Sequence, residues 1–148
     1  MRDVEAFFLD TNVWLYWIDS TQGGKYESSR QWVDMVWQHG VGRVSWQVLN
    51  EFYVNAERKA GASRESARAL VESLIQWKPV GFDRNIFRRA WYWMDKADVH
   101  YWDSLILASA ESAGCTYLLT EDFQTGQQFG DITVVNPLRR RPEEFGLS

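Results

Sequence analysis

The stretch Phe7-Phe8-Leu9-Asp10-Thr11-Asn12-Val13-Trp14 constrains the chain most. It reads as the end of a buried strand running straight into a helix, with Asp10 at the junction. Val4 to Leu9 is a short apolar run. From Thr11 to Ile18, Val13, Trp14, Trp17 and Ile18 recur at helical spacing. A carboxylate placed after two phenylalanines has few polar neighbours. It must be solvated, capped, or neutralised by something that binds. Ligand chemistry in open α/β sheets gathers at the carboxyl ends of strands, so Asp10 is a candidate metal ligand.

The alternation continues down the chain. Asp19 to Gly24 is a polar loop, and Lys25 to Gln38 carries a helical stripe of Trp32, Val33, Val36 and Trp37. Arg43 to Ser45 is a brief second strand, and Trp46 to Lys59 a helix with Val48, Leu49, Phe52, Tyr53 and Ala56 on one face. Ser63 is a good N-cap for a helix to about Gln76. Val80 to Phe82, after Pro79, is an edge-strand candidate. Asp83 caps a helix over Arg84 to Lys96. Trp102 to Ala113 is apolar almost all round, the mark of a buried helix. Thr116 to Leu119 and Ile132 to Val135 are strands, and the tail from Pro137 (138–148) is expected to be loosely held. Strands separated by helices imply a parallel sheet with helices on both faces, hence a three-layer α/β fold. The 148 residues suit one domain over 1–148.

Four acidic positions fall where a cleft at the strand ends would form. Asp10 follows the first strand. Glu51 lies in the helix after the second strand, at the margin of its apolar arc. Asp103 is in the first turn of the most buried helix. Asp122, with Glu121 beside it, follows Thr116 to Leu119. Each has an ordinary reading alone: an exposed helix carboxylate, a residue favoured by the helix dipole, a turn residue. Together they repel and need compensation. No Lys or Arg stands immediately beside Asp10, Glu51 or Asp103. An oxygen-only set favours Mg²⁺ or Mn²⁺ over zinc. A hard metal that keeps waters suits phosphodiester hydrolysis, because it acidifies water and stabilises phosphoryl charge. Asn12 could orient Asp10. Ser45 and Thr120, both ending strands, could hydrogen-bond a carboxylate or phosphate, or merely cap.

Leu9-Asp10-Thr11-Asn12-Val13, Gln47-Val48-Leu49-Asn50-Glu51-Phe52-Tyr53, Tyr101-Trp102-Asp103-Ser104-Leu105-Ile106 and Leu118-Leu119-Thr120-Glu121-Asp122 resemble, in order and spacing, the four motifs of PIN-domain nucleases. The likeness runs from Phe7 to Pro137 and is greatest to VapC-type toxins of bacterial toxin–antitoxin pairs. It implies a central parallel sheet of about five strands in the order 3-2-1-4-5. It implies that Asp10, Glu51 and Asp103 are the core metal-binding carboxylates, with Asp122 as the fourth and Glu121 as its fallback. It implies Mg²⁺ or Mn²⁺, an RNA substrate cut to a 5′-phosphate and a 3′-hydroxyl, a homodimer, and silencing by a cognate antitoxin protein. His100 stands where such sequences often carry a small capping hydroxyl; it either caps less well or contacts substrate.

The formal net charge of −4 argues against a nucleic-acid coat protein, but not against local contact with RNA. Arg84 and Arg88 share a helix face at i,i+4 and are candidate RNA-binding residues. Arg89 lies on the same helix, and Arg139, Arg140 and Arg141 form a second basic run. Trp14, Trp17, Trp46 and Trp102 could stack on unpaired bases if exposed. The single Cys115 excludes an internal disulfide and fits a reducing compartment. It reads as a small buried hydrophobe. With no secretory leader and no run near the ~20 apolar residues of a membrane helix, a cytoplasmic location is expected. A haloacid dehalogenase-type phosphatase would want an aspartate where Asn12 stands. A receiver domain would want a middle-strand aspartate and a late lysine. A catalytically idle domain whose acidic cleft binds a basic partner peptide is the non-enzymatic alternative.

Overall fold

The computed structural model describes residues 5–148, so the expected start of the first strand at Val4 lies outside the described residues. The chain runs β1 (Phe7–Leu9), α1 (Thr11–Ile18), α2 (Gly24–Gln38), β2 (Gly42–Arg43), α3 (Trp46–Arg58), α4 (Arg64–Leu74), α5 (Arg84–Ala97), α6 (Tyr101–Ser112), β3 (Tyr117–Leu119), β4 (Gln128–Phe129) and β5 (Ile132–Val135). The strands form one sheet in the order β2-β1-β3-β5-β4. The first four of these run parallel, and β4 is antiparallel to β5. α1 packs on α2 and α3, α3 on α4, and α5 along α6. The sheet lies between helices, in the three-layer arrangement that strand–helix alternation implies.

β1 sits inside the sheet, and its three residues are fully buried. That is why it reads as a continuous apolar run rather than an alternating one. Burying each such side chain contributes roughly 1.5–3 kcal/mol. α6 is buried along most of its length, from Ser104 to Ala110, as its all-round apolar character requires. Cys115 is buried too, and burial pushes its thiol up to about 12.

Three expectations need correction. Val80 to Phe82 does not form a strand; only Val80 pairs, in a parallel bridge to Ser45. Pro79 has no N–H to donate and Gly81 has no side chain to pack, so the segment cannot extend its pairing. The order 3-2-1-4-5 is otherwise kept, with that bridge in place of the edge strand. A short antiparallel strand, β4, closes the opposite edge and makes the sheet mixed.

The third correction concerns the tail, which is docked rather than loosely held. A 3-10 turn over Pro142–Phe145 brings Phe145 against Phe7, Trp32 and Tyr117, at centroid distances of 6.0, 5.7 and 5.0 Å. Leu147 is buried, and the Trp32 indole N–H donates to the Arg140 carbonyl at 2.9 Å. Pro142 is buried as well, and the Gln31 amide donates to Glu143 at 2.9 Å.

At the sheet's outer edge Gly42 has a specific steric role. A Cβ there would lie 2.1 Å from the Trp77 ring. That ring also packs edge-on against Trp14 of α1 at 4.9 Å.

Docking of the tail predicts that Leu147→Ala costs about 2–4 kcal/mol. Urea unfolding checks this. The midpoint should fall while the slope stays constant; an unchanged midpoint would mean that the tail contributes nothing to the core.

Candidate active site

The carboxyl ends of β1 and β3, together with α3 and the start of α6, deliver the acidic side chains to one region. Asp10 ends β1 and N-caps α1. Its Oδ1 accepts from the Thr11 backbone N–H at 2.7 Å, and its Oδ2 accepts from the Thr120 hydroxyl at 2.9 Å. It is only 5% exposed. Burial raises its carboxyl to about 7; the two hydrogen bonds pull it down, and the charges of Asp122 and Glu51 push it up further.

Thr120 follows β3 and is fully buried. Its hydroxyl also accepts from the Asn12 amide at 3.2 Å and from the Asp122 N–H at 3.1 Å. The same Asn12 amide donates to Asp122 at 3.1 Å. Glu51, half-buried on α3, accepts from the Thr11 hydroxyl at 3.0 Å and the Gln47 amide at 3.5 Å. Burial raises its carboxyl, and so do Asp103 and Asp122. Asp103, in the first turn of α6, is raised by burial and by Asp122 and lowered by His100. Asp10, Glu51 and Asp103 are each raised by the charge of Asp122, so the four acids lie in one region at the strand ends. None of the three ion pairs among the described residues involves any of them.

The remaining candidates divide. Asn12 and Thr120 join the carboxylates. Ser45 does not; its hydroxyl accepts from the Val48 N–H at 3.2 Å and caps α3. Glu121 turns aside to accept from the Tyr16 hydroxyl, with Lys25 3.9 Å away. Asp122 is thus the member of that pair that faces the other acids. His100 occupies the N-cap of α6 without a side-chain capping bond. Arg84 and Arg88 lie on the exposed side of α5, and Arg89 is paired with Glu111 at 2.7 Å. Trp14 is fully buried and Trp17 partly so, whereas Trp46 and Trp102 are exposed. Gln47 also reaches the Trp102 carbonyl at 3.5 Å, joining α3 to α6.

Thr11, Gln47 and Tyr16 escaped the sequence reading. Thr11 sits one residue after Asp10 and Gln47 one turn before Glu51, which is a usable signal. A cavity of about 410 Å³ opens beside the cleft, bordered by Thr11, Asn12, Tyr16, Lys59, Glu121 and Asp122. A larger one of about 610 Å³, at Trp37, Gly42 and Trp77, touches no acid of the set; charge and buried polar atoms, rather than volume, mark the site.

The donor set suits a hard divalent cation. It is all oxygen, and among the described residues no Lys or Arg is ion-paired with it. The side-chain carbonyls of Asn12 and Gln47 are buried beside it without a donor. Such buried acceptors are costly unless something satisfies them. Among the described residues no three Asp, Glu, His or Cys side chains stand close enough to grip an ion as posed. Mg²⁺ asks less than that, because it is typically held through one or two carboxylates and keeps several waters.

The raised Asp10 carboxyl has a consequence for stability. Between its ordinary range and about 7, the folded protein holds a proton that the unfolded chain releases. Stability therefore falls as pH rises through that window, by up to about 1.4 kcal/mol per pH unit. In chelator, the stability of the wild type relative to Asp10→Asn should decline from about pH 4 to about pH 7 and then level off. Denaturant unfolding at a series of pH values checks this, and a pH-independent difference would rule it out.

The PIN domain family model matches residues 7–126, a span that contains all four acids. No curated protein matches the sequence. Among solved structures, one similar chain belongs to a toxin–antitoxin complex from Klebsiella pneumoniae. It is 19% identical, with a TM-score of 0.65, covering 90% of this chain and 98% of that one. Another is Mycobacterium tuberculosis VapC20, a sarcin–ricin loop cleaving toxin. It is 17% identical, with a TM-score of 0.61, covering 79% of this chain and 92% of that one. At such identities the likeness speaks for the fold. The sequence match over 7–126 speaks for the family, and the chain belongs to the PIN domain family.

Proposed function

We propose that this chain is a metal-dependent endoribonuclease, the VapC-type toxin of a toxin–antitoxin pair. The observation that carries the reading is the group of four neighbouring carboxylates, none ion-paired with a base among the described residues, in a PIN domain. The two similar structures, a toxin–antitoxin complex and a sarcin–ricin loop cleaving toxin, support the same reading.

Asp10, Glu51, Asp103 and Asp122 would hold Mg²⁺ or Mn²⁺. Such an ion supplies Lewis-acid stabilisation of phosphoryl charge and lowers the pKa of water it binds. The chain's own residues fix the orientation of the carboxylates. Thr120 and the Thr11 N–H hold one oxygen each of Asp10. Asn12 ties Thr120 to Asp122 and keeps its carbonyl free. Thr11 and Gln47 hold Glu51. Preorganisation of this kind lets the ligands act without rearranging first. Glu121, engaged by Tyr16 and Lys25, stands beside the set rather than in it. The partners are an RNA substrate, a cognate antitoxin and a second copy of the chain. No helix among the described residues is long and apolar enough to cross a membrane, and the reading places the protein in the cytoplasm.

Purified protein should cleave a mixed RNA pool with Mg²⁺ or Mn²⁺ and not with EDTA. Asp103→Asn should lower the rate by roughly 10²-fold or more, the scale of losing one preorganised electrostatic group. Products should carry 5′-phosphates. Cleavage that survives both EDTA and the substitution would overturn the mechanism. Absence of cleavage in every metal, with a basic peptide co-purifying, would favour the idle binding domain.

A further inference from the structure

α5 has a face that the core does not use. Ile86, Ala90 and Trp93 are its buried side. On the outer side, Phe82, Phe87 and Trp91 are 52%, 38% and 52% exposed. They form a continuous ladder. Phe82 meets Phe87 edge-on at 4.5 Å, and Phe87 meets Trp91 at 5.5 Å with the planes tilted by 34°. These rings border a cavity of about 540 Å³ that Arg84 and Arg88 also line.

Neither arginine has an acidic partner or a side-chain hydrogen bond among the described residues. Arg89 contrasts with them, held by Glu111 and lying over the Tyr92 ring. The one acid at the cavity, Asp83, is engaged as the N-cap of α5, accepting from the Ile86 N–H at 3.0 Å. None of these residues belongs to the acidic cleft.

We propose that this face is an exosite for single-stranded RNA. Unpaired bases stack on Phe82, Phe87 and Trp91, while phosphates meet Arg84 and Arg88. The proposal rests on the ribonuclease reading above. Charge is the first argument. The chain carries −4 overall and its cleft is acidic, so an RNA strand needs a cationic anchor elsewhere. Pattern is the second. Exposed rings interleaved with free guanidiniums match a polymer that offers one π-face and one charge per nucleotide. The same pattern disfavours a second copy of the chain here. A two-fold contact centred on the patch would bring the arginines of both copies together, with only the engaged Asp83 to offset them.

The test uses a labelled short oligouridine and an RNA duplex of equal length, bound in EDTA so that no cutting occurs. The variants are Phe87→Ala, Trp91→Ala, Trp91→Phe and the pair Arg84→Gln with Arg88→Gln. All sit on an exposed face, and circular dichroism confirms folding. Each lost ring should weaken oligouridine binding roughly 5- to 150-fold. Trp91→Phe should retain most of the affinity. The arginine pair should flatten the slope of log affinity against log salt by about 1.4, or about 0.7 per charge. The duplex, with its bases stacked inside, should bind more weakly than the single strand. Unchanged oligouridine affinity in folded variants overturns the exosite, whether the variants instead change oligomeric state or lose capture of an antitoxin. Should the wild type bind oligouridine through this face yet cleave no RNA, the ribonuclease reading fails while the exosite stands. Cleavage with unaltered binding in the variants gives the reverse.

Discussion

Everything at the cleft depends on a carboxyl group held almost out of water at the end of β1, an inner strand. Asp10 is fixed there by chain connectivity, because β1 must end where α1 begins, and its carboxyl is needed to cap that helix. A group so placed demands donors, and the neighbouring elements supply them. The Thr11 N–H comes from the helix itself and the Thr120 hydroxyl from the next strand. Parallel pairing of β1 with β3, in the register Leu9 to Leu119, brings Thr120 alongside Asp10. Sheet register and site geometry are therefore one constraint.

From that anchor the acids are graded outward. Asp10 is buried, Glu51 and Asp103 are intermediate and Asp122 is exposed. Desolvation is the leading cause of every raised carboxyl in the set, with mutual repulsion added to it. The innermost group, Asp10, is accordingly raised to about 7. Under the proposed function, a cation bound among the acids would favour the charged form of Asp10. Asn12 links the two ends of this gradient through Thr120 and Asp122.

Much of this was legible in the sequence, because strand ends and helix first turns are local features. Asp10, Thr120 and Asp122 follow apolar runs, and Asp103 opens an unmistakably buried helix. What escaped depended on tertiary contact. Thr11 holds Glu51 from forty positions away in the sequence, a pairing that its place beside Asp10 does not specify. Ser45 read as either ligand or cap, and only the Val48 N–H decides for the cap. β4 has two residues, Gln128 and Phe129, too few to show a period. The docked tail has no periodicity either, since Phe145 and Leu147 sit among prolines, glycine and charges. The resemblance put Asp122 ahead of Glu121, but the Tyr16 hydroxyl that draws Glu121 aside is a tertiary contact with no local signal.

Gly42 carries a consequence for how this chain can vary. Residue 42 lies at the outer end of the sheet order, in the two-residue strand β2, where variation is usually tolerated. Yet the Trp77 ring occupies the space of its missing side chain and rests in turn on Trp14. Trp14 belongs to the same short helix as Asp10's cap and Asn12. Any substitution at 42 must move the first indole, and the displacement passes by hard contact to the helix that aims the site. The freedom of this edge position is set by the indole packed over it and by the helix on which that indole rests. Lineages that change it should be found changing Trp77 or Trp14 as well.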